Sequence, residues 1–432
     1  MNAIRRFFVS ISQLMVLAVA FISPAEAAEK LSDLRGVFRA SFNHDASRVI
    51  TISREGAFAI WELPAGTIVA GDLDPNAAAG GFVMSSDAKL AVVGFKDGHS
   101  RVFDATTAKA ISPLLDYQFN AEFQMPALFS PDGTTLLLFA NKEAVVFGIP
   151  SGKKIATISL GEPVSDEATG FAIFAAGGSQ CFLMDGAGTV TRYDTKEWKA
   201  AGAPMRHPKT EAAYGLGFDA SDDGKWVVTF DTPGENGPKS NLQVWDAITN
   251  KAIGKPLTAT NGMAGHFVGK DRVLVLPGRG DARVHELPSM KVAYTLRRHD
   301  DIEGPNTLIS PDRKWILVWG ADHVLDLVDT SSGKVAHVYS GTARIEKVIM
   351  APDSSGCYFV ADNTAFMSQK HYDNYVVKLR FPEMEIVKTF RILDFVLGVS
   401  LSPDGKRLMV QQGESDQERL VLLDVASLKS IE

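Results

Sequence analysis

The chain has 432 residues, 45% of them apolar and 22% charged, with 37 Gly, 20 Pro and only 2 Cys. That composition excludes a disordered chain, a collagen-like fibre and a small disulfide-stapled domain. Lys and Arg total 44 against 51 Asp and Glu, a formal charge of −7. No basic run offers the electrostatic footprint that nucleic acid requires.

At the N-terminus Arg5 and Arg6 supply positive charge, residues 7–22 are mostly apolar, and Ser23-Pro24-Ala25-Glu26-Ala27 ends in the small-x-small manner. This is the pattern of a cleavable secretory signal, cut after Ala27. No Ser or Thr precedes the Arg pair, so the general secretory route is expected rather than the twin-arginine one. The apolar stretch is shorter than the roughly 20 residues that cross a bilayer core, and no later stretch is longer. The expected organisation is a signal peptide over 1–27 and one domain over 28–432, not membrane-spanning, in the periplasm or outside the cell.

The rest of the chain repeats itself. Ser130-Pro131-Asp132-Gly133, Ser310-Pro311-Asp312-Arg313, Ala351-Pro352-Asp353-Ser354 and Ser402-Pro403-Asp404-Gly405 each follow an apolar residue and precede an apolar run. Weaker copies centre on Asp45, Asp87, Gly177, Asp223 and Asp271, so that nine units recur 41 to 51 residues apart. Such a period is that of a four-stranded propeller blade. Pro presets the first central position of a tight turn, Asp favours the second and Gly closes it, which predicts a hairpin. Unbroken apolar runs follow, such as Leu136-Leu137-Leu138-Phe139 and Trp315-Ile316-Leu317-Val318-Trp319. Runs this short predict strands buried on both faces. Alternating segments such as Leu242-Gln243-Val244-Trp245 predict a third, half-exposed strand. Turns such as Ser331-Ser332-Gly333-Lys334 then introduce a brief fourth.

Trp245-Asp246, with the degenerate versions Phe103-Asp104, Tyr193-Asp194, Val328-Asp329 and Leu423-Asp424, resembles the signature dipeptide of the WD-repeat β-propeller family. The likeness runs from about Val37 to the end of the chain. It extends equally to Tol-type and other periplasmic propellers, which use the same Ser-Pro-Asp-Gly hairpin, so a divergent propeller of the exported bacterial type is expected. The Gly-His pair that precedes a blade in the family occurs literally once, at Gly265-His266. The family's internal Asp-His-Ser-Trp network is therefore not expected in most blades. The resemblance implies an all-β fold: a single closed propeller of four-stranded blades, about nine sequence repeats forming eight or nine blades. Two surplus blades could not bury their faces alone, which favours one ring.

Cys181 and Cys357 occupy the same position in repeats 4 and 8, which a ring places too far apart for a disulfide. Two buried free thiols are expected. The nine His fall into no metal-binding spacing, and no haem-attachment motif or nucleophile elbow occurs. No catalytic residue, metal ligand or cofactor is assigned. Hairpins between second and third strands lengthen in repeat 5, over 231–241, and in repeat 8, over 361–374, which contains Phe366, Met367, His371 and Tyr372. Apolar and aromatic residues on such a loop suggest a partner-binding surface. The function implied is a non-enzymatic scaffold for a protein or cell-envelope component. The alternative is a propeller hydrolase or lactonase with a metal held at the axis.

Overall fold

The computed structural model describes residues 31 and 34–429 apart from 54–55, 73–78, 96–97, 117–126, 141, 162–170, 209–212, 234–238, 261, 279, 298–305, 321, 342, 363–373, 414–416 and 428. The secretory signal expected over 1–27 lies outside the described residues. Nine antiparallel sheets follow one another along the chain, each pairing consecutive strands. Blade 1, for example, runs Val37–Phe42, Arg48–Ser53, Phe58–Glu62 and Thr67–Asp72. We letter the strands of each blade A to D in chain order. The A strands of neighbouring blades approach one another, which places them at the axis and the D strands at the rim.

The second strands explain the ring. In blade 3 (B strand Thr135–Ala140), Leu136 and Leu138 pack toward blade 2, whereas Leu137 and Phe139 pack toward blade 4. In blade 7 (B strand Trp315–Trp319), Ile316 and Val318 face blade 6 while Leu317 faces blade 8. Successive side chains of a strand point to opposite faces, so an unbroken apolar run is what a strand between two neighbours requires. Each such side chain contributes about 1.5–3 kcal/mol when fully buried. Nine clusters of this kind fill the nine interfaces. The last seals the ring, uniting Val37, Phe42 and Trp61 of blade 1 with Met409, Leu420 and Leu422 of blade 9. Arg407 of blade 9 also donates to the Ala46 carbonyl across the seam. The expected ring of eight or nine blades thus has nine.

The blades are not uniform. Beyond the third strand of blade 2, the bridges Ser100–Leu115 and Phe103–Ala110 are what the described residues show of a fourth. Blade 9 has three strands among the described residues: Val396–Leu401, Arg407–Gln412 and Arg419–Asp424.

The A–B turns follow the predicted chemistry. In blade 3 the Ser130 hydroxyl donates to Asp132 Oδ1 at 2.6 Å and accepts from the Thr135 amide at 3.0 Å, while Asp132 Oδ1 accepts from the Thr134 amide at 3.0 Å. Ser85 with Asp87, Ser221 with Asp223, Ser310 with Asp312 and Ser402 with Asp404 repeat the hydroxyl–carboxylate bond at 2.6–2.7 Å. In blade 1 Asn43 replaces the serine, its amide donating to Asp45 and its oxygen accepting from Arg48 N. Two weak copies depart from the pattern. The Gly177 copy becomes a single 3-10 turn, Ala176–Gly178. Asp271 leaves its own turn and accepts from the Trp226 indole of blade 5 at 3.0 Å and from Lys225 at 3.2 Å. It immediately precedes its B strand (Arg272–Pro277), two positions too late to bridge the turn.

Cys181 and Cys357 are free and buried, in the blade 3/4 and blade 7/8 interfaces respectively. Burial pushes both thiols well above the usual range.

Candidate interaction surface

An antiparallel meander puts A–B and C–D turns on one face of the ring and B–C hairpins and D–A connections on the other. The first face is built from short turns bonded to themselves. There the aspartates of the Trp-Asp dipeptide and its degenerate versions act as turn caps. Asp104 Oδ1 accepts from the Thr106 and Thr107 amides at 2.9 and 2.7 Å, and Asp246 Oδ1 from Ile248 and Thr249 at 2.8 and 2.9 Å. In blades 1, 3, 6 and 8 the C–D turn instead carries Pro64, Pro150, Pro288 or Pro382 after a cis peptide bond.

The second face is different in character, and among the described residues its apolar exposure gathers over blades 8, 9 and 1. Leu393 is 70% exposed and Phe395 42% in the connection from blade 8 to blade 9, and Phe38 is 45% exposed at the start of blade 1. Hydrogen bonds tie together the segments that carry these residues. The Asn374 amide donates to the Asp394 carbonyl at 2.9 Å, and Asp394 Oδ1 accepts from the Phe395 amide at 2.9 Å. Gly413 N donates to the Phe395 carbonyl at 2.9 Å. Gln411 then donates to the Val37 carbonyl at 2.5 Å, joining blade 9 to blade 1 beside Phe38. Arg419 faces the other Asp394 oxygen at 3.5 Å. Asn374 itself is 3% exposed, and its Oδ1 finds no hydrogen-bond partner among the described residues.

The predicted partner-binding residues Phe366, Met367, His371 and Tyr372 lie outside the described residues. The roots of their loop are described. Asp362 and Asn374 pair across the last rung between the B strand (Gly356–Asp362) and C strand (Asn374–Arg380) of blade 8, so the loop springs from this face beside Asp394. Sequence inspection missed Leu393, Phe395 and Phe38, because single apolar residues next to strands read as strand ends until the ring sets three blades side by side.

A second constellation lies inside blade 5. His207 Nδ1 and Thr229 Oγ1 are 2.8 Å apart, Trp245 Nε1 donates to the same hydroxyl oxygen at 3.0 Å, and His207 Nε2 lies 3.5 Å from Asp231 Oδ2. Asp231 Oδ1 in turn accepts from the Asn241 amide at 2.6 Å. The connectivity is that of a nucleophile, base and acid. Yet Thr229 and Asp231 are wholly buried, His207 is 5% exposed and Trp245 9%. Its chemistry here is to tie the loop before blade 5 to two of its strands, Trp226–Pro233 and Ser240–Asp246. The literal Gly265-His266 pair does not build such a network. His266 lies within the A strand of blade 6 (Met263–Phe267), half exposed, with Nδ1 3.7 Å from Asp219 Oδ2. Blade 1 keeps half of the arrangement, Trp61 Nε1 donating to Thr51 Oγ1 at 2.8 Å. Among the described residues no three His, Cys, Asp or Glu side chains stand close enough to hold a metal ion.

No family model and no curated protein matches the chain. Solved structures do. A eukaryotic initiation factor is similar with a TM-score of 0.64 at 12% identity, over 87% of this chain and 92% of that one. The C-terminal WD40 domain of Sif2 gives 0.52 at 13% identity, over 91% and 97%. The computationally designed Ika8 protein gives 0.50 at 14% identity, over 77% and 95%. At such identities the likeness concerns the fold, and the fold is a β-propeller of nine blades.

Proposed function

We propose that this protein is an exported, non-enzymatic interaction scaffold that presents the D–A and B–C face of blades 8, 9 and 1 to a protein or cell-envelope component. The observation that carries the proposal is the group Leu393, Phe395 and Phe38, exposed on segments that hydrogen bonds tie across three blades. Rigid apolar groups framed by polar side chains are what a protein interface uses at its centre, since little ordering entropy is lost on docking. The roots of the repeat 8 loop, Asp362 and Asn374, lie beside them, and its residues Phe366, Met367, His371 and Tyr372 are proposed as part of the same partner-binding set. Propellers host many functions, so the proposal rests on this surface and not on the fold. Export rests on the signal pattern of 1–27, and a mature N-terminus at Ala28 in a secreted or periplasmic fraction is the expected result. A mature chain retaining Met1 in the cytoplasm would overturn it.

The surface is tested by affinity capture from the native envelope fraction with three proteins: the unaltered chain, Leu393→Asp/Phe395→Asp, and a variant with 364–372 replaced by Gly-Ser. Loss of the same captured component in both variants, with unchanged thermal unfolding, is expected. Undiminished capture by both would overturn the proposal.

A further inference from the structure

The fourth strands form the outer edge of the ring, each with one side unpaired, and such edges invite pairing unless charge protects them. Most are protected: Asp72, Lys154, Lys199, Lys255, Lys291 and Lys388 mark the outer strands of blades 1, 3, 4, 5, 6 and 8. The outer strand of blade 7, Val335–Ser340, reads Val-Ala-His-Val-Tyr-Ser and is the one fourth strand among the described residues without Lys, Arg, Asp or Glu. It is also well presented. Val335 is 49% exposed and Val338 54%, and the strand is anchored from behind by Tyr339, whose ring packs on Phe359 of blade 8 with centroids 5.2 Å apart.

We infer that this edge pairs with its own copy in a second molecule, antiparallel about a two-fold axis, so that two blade 7 sheets run on as one. Charge selects this edge: every other named outer strand carries Lys, Arg, Asp or Glu, and charge on an edge opposes its pairing. Lys255, at the middle of Lys251–Ala259 in blade 5, would moreover meet its own copy across an antiparallel ladder. On Val335–Ser340 self-pairing brings together β-branched and small neutral side chains, which suit a pleated surface. Lys334, just before the strand, falls opposite the neutral Ser340-Gly341 end of the antiparallel partner.

Sedimentation equilibrium on the purified mature protein tests this. The expected result is a monomer–dimer equilibrium, weakened about tenfold or more by Val338→Lys and by His337→Glu, because each places like charges across the two-fold. Val292→Lys, on the exposed outer strand of blade 6, is expected to leave the equilibrium unchanged. Circular dichroism confirms that each variant folds, and both test positions are exposed enough to accept a charge. A protein that stays monomeric up to its solubility limit would overturn the inference. So would a dimer indifferent to both edge charges, since its interface would then lie elsewhere.

Discussion

Thr229 shows how one hydroxyl can organise a blade. It lies between the His207 ring and the Trp245 indole, and Thr229→Val leaves both polar groups buried without it. A loss of about 1–3 kcal/mol in unfolding free energy is expected, read from urea denaturation. Gly405 makes a different residue-level case. Its φ is +69°, and the nearest atom to an added Cβ is Pro352 Cδ at 3.7 Å, so Gly405→Ala meets no clash. Its cost isolates the left-handed backbone, about 1 kcal/mol in the same assay. Sequence revealed the second residue and hid the first. The Ser-Pro-Asp-Gly string states its own turn geometry, whereas His207 follows Arg206 instead of Gly. Its role depends on where a loop lays the ring between blade strands, which no local pattern records.

The A–B and C–D turns are the elements in which charge stabilises the fold. Asp132, Asp329 and Asp424 are held below the ordinary carboxylate range, each foremost by a serine hydroxyl of its own turn: Ser130, Ser331 and Ser427. A carboxyl whose pKa is depressed on folding contributes stability above its unfolded pKa of about 3.9, and loses it as pH falls through the folded value. Thermal midpoints should hold steady from neutral pH down to roughly pH 5 and then fall. Ser130→Ala should make the acid decline shallower while lowering the neutral-pH midpoint. An unchanged acid slope would show that this turn contributes nothing. The strands were legible in sequence because apolar runs and alternation encode burial on two faces or one. The uneven fourth strands were not, since the rim packs against little and its sequence is weakly constrained. Asp271 was misplaced for a related reason: its partner, Trp226, belongs to the neighbouring blade.

For the whole molecule, stability is a property of the circle. No blade buries both of its faces alone, and the seam between blades 9 and 1 rests on Trp61, Leu420 and Leu422 in place of chain continuity. Leu422→Ala should therefore cost about 2–5 kcal/mol and lower the unfolding midpoint of the entire protein, as followed by differential scanning calorimetry. Period and patterning supplied the ring, but blade number became definite only when nine interfaces were seen to be filled. The proposed interaction surface was half legible: an aromatic loop stands out in sequence, while apolar residues gathered from three blades require the circle to bring them together. The most direct test of the account is the projection of single particles down the ring axis by electron microscopy. Nine radial sheets about a central hole are predicted, and an open arc, two separate lobes, or a smaller ring with a sheet left outside would contradict it.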